Sequence, residues 1–322
     1  WSNFSISDVM IDRFPAYKAL RTKKDMAPAT LTQADLLQIK GWFQLAWFDP
    51  DFLRGPVAMP GGGVVDLSDL VSEDATGHFE LRAPFTEAIC QRLVVEEYKV
   101  LSNIVGIHKA LFYNAEQKTG QIEVLTTPFY HPILPLLTDS DLAKTALPSA
   151  PMPQHRFQYA SDAQAQVAKA VALYTRLFEH PPTGMWPAEG SVAQEVVQTF
   201  VAAGVKWVAT DRKVLERSTP PNQPLWSPYK VTGASADDQL AIVFRDTEIS
   251  DKVGFAYQGQ TPAQNVTDLA ANLRRYAPAY GEERMLSVIL DGENAWEWYR
   301  LDNDGKEFQH GMYRMLTEAQ HR

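Results

Sequence analysis

Residues 184–211 read GMWPAEGSVAQEVVQTFVAAGVKWVATD, and this stretch decides the fold. Gly184 to Pro187 is a short apolar strand that delivers an acid, Glu189, just past its end. Ser191 with Gln194 predicts a capping box for the helix that follows, with Val196, Val197, Phe200 and Val201 on its inner face and Gly204 at its C-terminus. Val205 to Thr210 then reads as a buried strand ending at a second acid, Asp211. A strand, a polar strand end, a helix and another strand make one unit of a parallel sheet.

The same unit recurs on both sides. Upstream, the β-rich run Gln121 to Thr126 ends in Thr127-Pro128-Phe129-Tyr130-His131-Pro132, where two prolines forbid continued pairing. Ser161 opens a helix with Val167, Val171, Tyr174 and Phe178 on one face, and His180-Pro-Pro ends it. Downstream, Leu240 to Phe244 ends at Arg245 and Asp246, and Leu286 to Leu290 ends at Asp291, with a helix from Asn265 to Arg275 between them. Polar groups at several different strand ends favour a closed or nearly closed barrel over an open sheet with one crevice. The expected class is therefore α/β, an incomplete parallel barrel with additional helical segments. The first 115 residues are expected to be mainly helical, with residues 116–322 forming the barrel. Leu31 to Phe48 and Thr86 to Tyr113 are amphipathic helical runs, and Met59-Pro-Gly-Gly-Gly-Val with the acidic stretch Asp66 to Asp74 reads as a loop excursion between them.

Composition narrows the chemistry. The 322 residues are 45% hydrophobic and carry a formal charge of -9, which disfavours nucleic acid, whose binding rests on neutralising phosphates. No run approaches the roughly 18 apolar residues of a membrane span. The lone Cys90 excludes an internal disulfide and fits a reducing compartment, so a cytoplasmic location is expected. No Gly-x-Gly-x-x-Gly or phosphate-binding Gly-Lys-Ser/Thr loop occurs, the seven histidines include no His-x-x-x-His pair, and neither a metal nor another cofactor is expected. What remains is Glu189 and Asp291, each past a strand and each near indoles: Trp186 for the first, Trp296 and Trp298 for the second. A pyranose stacks its apolar face on such rings and gives its hydroxyls to carboxylates. Two acids facing one sugar can perform retaining hydrolysis if their carboxyl groups lie about 5–5.5 Å apart.

Taken in order, Gly-Gln-Ile-Glu-Val with Thr-Pro-Phe-Tyr-His-Pro, then Gly-Met-Trp-Pro-Ala-Glu, then Leu-Asp-Gly-Glu-Asn-Ala-Trp-Glu-Trp-Tyr, the chain resembles glycoside hydrolase family 57 over roughly Gly41 to Arg314. That group is active on α-glucans and includes amylopullulanases, α-amylases, glucanotransferases and branching enzymes. The resemblance implies an incomplete seven-stranded (β/α) barrel and a retaining mechanism on an α-glucan or maltooligosaccharide. Glu189 then matches the nucleophile and Asp291 the general acid/base. Glu123 and His131 match a motif lining the sugar subsite beside the scissile bond, and Glu293 falls on a substrate-contacting acid. Two family motifs have no counterpart, a His-Gln-Pro at the first barrel strand and a C-terminal helical motif, so the expectation is an internal part of a longer protein.

Each residue also has a plainer reading. Glu189 fits a helix cap, His131 a structural histidine, and Glu123 a solvent-facing strand acid. Asp211 serves either a sugar subsite or an ion pair with Arg212 or Arg245, and Arg245 with Asp246 reads also as a pair supporting the nucleophile's loop. Trp42, Trp47, Asp49 and Asp51 form either a sugar platform or, for the tryptophans, core. The alternatives to a glycosidase are a metal-dependent polysaccharide deacetylase-like barrel and a catalytically silent saccharide-binding relative.

Overall fold

The computed structural model describes residues 7–233, 239–279, 282–291, 296–302 and 304–320. The chain divides into two compact units, 1–122 and 123–322. In the first, helices α1 (Pro15–Met26), α2 (Gln33–Leu45) and α3 (Glu87–Leu111) surround an aromatic centre. Trp42 of α2 is 1% exposed. Its indole lies 5.4 Å from Phe14, 6.2 Å from Tyr17 in a near-parallel stack and 5.4 Å from Phe85 edge-on, the offset and T-shaped geometries that ring quadrupoles favour. Trp42 is therefore core, not a sugar platform, whereas Trp47 beyond the helix end is exposed. Asp49 caps the turn Pro50–Arg54 by accepting from the Asp51 amide at 2.9 Å.

The excursion expected as loop holds two hairpins. Strands β1 (Val57–Ala58) and β2 (Val64–Val65) pair antiparallel, as do β3 (Val71–Glu73) and β4 (Phe79–Leu81). Their shortness hid them, since two or three residues carry no readable alternation. The first turn uses its glycines: Gly62 and Gly63 stand at φ 98° and 87°, where a Cβ is strained. The Asn103 side chain of α3 accepts from the Gly61 amide at 2.6 Å and holds the turn in place.

The second unit begins at the Thr126 segment. Thr126 pairs in parallel with Met185 of β5 (Gly184–Met185), β5 pairs with β6 (Trp207–Asp211), and β6 lies in register with β8 (Gln239–Arg245), Trp207 opposite Ala241 and Asp211 opposite Arg245. Arg245 in turn makes a parallel bridge to Ser287. Five parallel segments thus follow one another in chain order. An open doubly-wound sheet reverses that order, so this is an arc of an incomplete parallel α/β barrel. The strand β7 (Tyr229–Thr232) is absent from the sequence reading. It runs antiparallel to residues 239–242, filling the edge of β8 that the Ser287 segment leaves open.

Helices cover the sheet as the periodicity predicts, with differences at their starts. In α4 (Ala160–Phe178) Val167 and Tyr174 are buried and Glu179 closes the helix at φ 69°. The Ser191–Gln194 capping box does not form: the Ser191 hydroxyl donates back to the Ala188 carbonyl at 2.7 Å, and α5 (Val197–Ala202) is entered through one 3-10 turn. A capping box exists instead at Thr261 and Gln264, starting α6 (Pro262–Arg275) three residues before the expected Asn265. Met185, Val208, Leu240, Ile242 and Phe244 from the strands meet Val167 and Phe200 from the helices in one cluster. At roughly 1.5–3 kcal/mol per fully buried large side chain, this cluster makes the strand ends rigid. A second cluster joins Tyr257 and Leu269 to Tyr299 and to Phe308 of α7 (Lys306–Gln320). No described helix is long and apolar enough to cross a membrane.

Candidate active site

Glu189 owes its position to a broken strand. Pairing continues one residue past β5, where the Trp186 amide donates to the Thr126 carbonyl at 2.9 Å, and Pro187 then stops it. The chain makes a single turn in which Glu189 takes φ 55° and ψ 23° and Gly190 takes φ 65°. A left-handed non-glycine residue costs about 1–2 kcal/mol and persists only where its surroundings dictate it. Here the Thr210 hydroxyl of β6 donates to the Gly190 carbonyl. The Trp186 ring closes the other side, 3.1 Å from where a Cβ on residue 190 would stand. The Glu189 side chain is consequently 71% exposed. It is not a helix cap.

His131 comes to it from the neighbouring segment. It also adopts a left-handed backbone, φ 56°, in a turn closed by its amide donating to the Pro128 carbonyl at 2.8 Å. The turn is fastened to α4, because the Gln166 side chain accepts from the Tyr130 amide at 2.9 Å and its backbone carbonyl from Phe129 at 3.2 Å. His131 Nδ1 lies 3.8 Å from Glu189 Oε1. Two strained residues from adjacent strand ends thus face each other in the open.

The next two strand ends form a network. Asp211 Oδ1 accepts from the Lys213 amide at 2.9 Å, while Oδ2 takes the Thr247 hydroxyl at 3.3 Å and faces Arg245 Nη1 at 3.8 Å. Arg245 donates from Nε to the Ile289 carbonyl at 2.8 Å and from Nη2 to Asp251 at 2.6 Å. Asp246 is completely buried. Its Oδ1 accepts from the Ile249 amide at 2.8 Å, and Oδ2 meets no hydrogen-bond donor among the described residues. The phenol of Tyr276 is pushed above its ordinary pKa, first by burial and then by the negative charge of Asp246. Asp291 is exposed, four residues past the Ser287 bridge that ties its segment to Arg245.

The other expected site residues fall elsewhere. Glu123 accepts a hydrogen bond from the Thr183 hydroxyl just before β5, at the end of the strands opposite the one that carries Glu189. Trp296 packs on Tyr299 with ring centroids 5.2 Å apart, against the second cluster, so it is more core than cleft wall. Trp298 is exposed, with the Arg300 guanidinium 5.6 Å from its ring. Glu293 lies outside the described residues. Sequence reasoning missed Thr210, Thr247, Ser250 and Gln166, whose short polar side chains have no pattern of their own. Among the described residues no group of three or more His, Cys, Asp or Glu side chains is placed to hold a metal ion.

Along the arc, Glu189 and Asp291 belong to ends three inter-strand steps apart, about 14 Å at the usual spacing of about 4.8 Å. Curvature shortens that path across the mouth of a barrel, and both residues are exposed.

Among solved structures, the chain is similar to an α-amylase from Thermotoga maritima, at 15% identity and TM-score 0.49, covering 72% of this chain and 51% of that one. It is likewise similar to a branching enzyme from Thermococcus kodakaraensis, at 15% identity and TM-score 0.48 over 72% of this chain and 50% of the other. A 4-α-glucanotransferase from Thermococcus litoralis matches at 17% identity and TM-score 0.45 over 70% and 28%. The chain spans about half the length of the first two. No curated protein matches it. The model of glycosyl hydrolase family 57 matches residues 21–322, almost the whole sequence, and the chain belongs to that family.

Proposed function

We propose that this chain carries the catalytic barrel of a retaining glycoside hydrolase or transglycosylase acting on α-glucans. Glu189 is the nucleophile and Asp291 the general acid/base. The observation that carries the reading is the strained, exposed Glu189 at the end of β5, held left-handed between Thr210 and Trp186 and faced by His131. Strain of this kind is kept where function needs it.

In the first step a Glu189 oxygen attacks the anomeric carbon as the glycosidic C–O bond breaks, its electron pair going to the leaving oxygen, which takes a proton from Asp291. In the second, Asp291 takes a proton from water or a sugar hydroxyl. The resulting oxygen nucleophile displaces Glu189 from the anomeric carbon. Water gives hydrolysis and a sugar hydroxyl gives transfer. His131 and Trp186 beside the nucleophile hold the sugar, with Asp211 one strand further round. The α-glucan substrate class is suggested by membership of glycosyl hydrolase family 57. The single, buried, unpaired Cys90 supports a place in the reducing cytoplasm.

Product analysis on maltooligosaccharides tests the reading. The parent chain yields shorter or rearranged glucans, and Glu189→Gln loses at least about a thousandfold in kcat while still binding the saccharide. Substantial residual turnover in Glu189→Gln would remove Glu189 from its role.

A further inference from the structure

The segment that carries Asp291 is gripped at one residue by two side chains. The Ile289 amide donates to Ser250 Oγ at 3.0 Å, and the Ile289 carbonyl accepts from Arg245 Nε at 2.8 Å. Two residues earlier the Ser287 carbonyl accepts from the Asp246 amide at 2.8 Å, the last backbone rung on this edge. The reason is topological. β8 ends at Arg245, and the chain turns at once into the short helix Thr247–Asp251, so among the described residues no neighbouring strand backbone pairs with Ile289. Side chains take over the ladder.

Both side chains are themselves fixed. Ser250 is 0% exposed, and the helix bearing it is pinned at its start by the buried Asp246, whose Oδ1 accepts from Ile249. The Arg245 side chain is only 18% exposed, and its three nitrogens face Ile289, Asp251 and Asp211. That leaves Arg245 little to offer a sugar. Only Leu290 separates the clamped residue Ile289 from Asp291, so few backbone torsions lie between the grip and the carboxylate it aims. We propose that Ser250 is a positioning residue for Asp291, acting with Arg245 through the Ile289 backbone. The inference rests on Asp291 being the acid/base, as proposed above.

The test separates proton delivery from general damage. Ser250→Ala is expected to lower kcat/KM on a maltooligosaccharide about 10-fold or more, part of the 10²–10⁴ a positioned acid contributes, yet to change it less than about 3-fold on the matching α-glycosyl fluoride. Fluoride departs without needing a proton, and kcat/KM reports only the steps up to its departure. Arg245→Lys keeps the charge facing Asp211 and Asp251 but lacks the Nε donor, and gives the same selective loss. Independently of turnover, the Ile289 amide is protected from hydrogen exchange in the parent chain and exchanges faster in Ser250→Ala. Equal losses on both substrates, or none on either, overturn the proposal. If the parent chain turns over neither substrate, the functional reading fails instead; unchanged exchange at Ile289 then overturns the clamp on its own.

Discussion

Glu189 shows what a reactive carboxylate costs its chain. At φ 55° it sits where glycine is at ease and glutamate is not. Glu189→Gly should therefore stabilise the protein by about 1 kcal/mol in denaturant titrations while abolishing turnover, because it relieves the backbone and removes the nucleophile. A loss of stability would mean that the carboxylate holds the turn together. Gly190 is bound by the opposite logic. Its own φ of 65° and the close Trp186 ring both disfavour a side chain, so the pair Glu189-Gly190 turns the strand end outward as one device.

Between residue and fold stand the elements, and here charge sets a pH dependence. Asp139, at the end of the short helix Leu134–Thr138, accepts from Arg156, Gln158 and the Asp141 amide, and so ties together the two ends of the segment running to Phe157. The Arg156 guanidinium foremost pulls the carboxyl down to about 2. A depressed folded value means that the tie contributes fully above the unfolded carboxyl range near 3.9 and is lost as pH falls through about 2. Hydrogen exchange at the Ser140 amide, which donates to the Phe157 carbonyl at 2.9 Å, should accelerate relative to its intrinsic rate at each pH, losing protection, between about pH 4 and pH 2. In Asp139→Asn that acceleration should vanish. At the same scale, the parallel order of the strands was legible beforehand because each buried run ended in a proline or a polar residue. The hairpins and β7 were not, because their pairing depends on which edge the fold leaves free.

At the scale of the molecule, the first unit is held by one apolar cluster and the second by two, and Phe200, 0% exposed, belongs to the one that joins β6 and β8 to their helices. Phe200→Ala should cost about 3–5 kcal/mol in chemical denaturation, the usual range for emptying a core aromatic site. Below the unfolding transition kcat should stay near the parent value, since Phe200 packs within an apolar cluster that contains none of the acids; a large drop in kcat there would show that the cluster aims the strand ends as well as supporting them. By itself the sequence determined the parallel strands of the barrel, the helices between them and the two acids past the strand ends. These follow from local periodicity and from breakers a few residues away. Only the tertiary structure decided which polar groups meet. Glu123 turns to Thr183, 60 residues on, instead of joining Glu189. Trp296 turns inward onto Tyr299, and Arg245 spends its donors on Ile289 and Asp251. A side chain's partner depends on the edges and gaps that distant segments bring beside it, and no pattern along the chain records those.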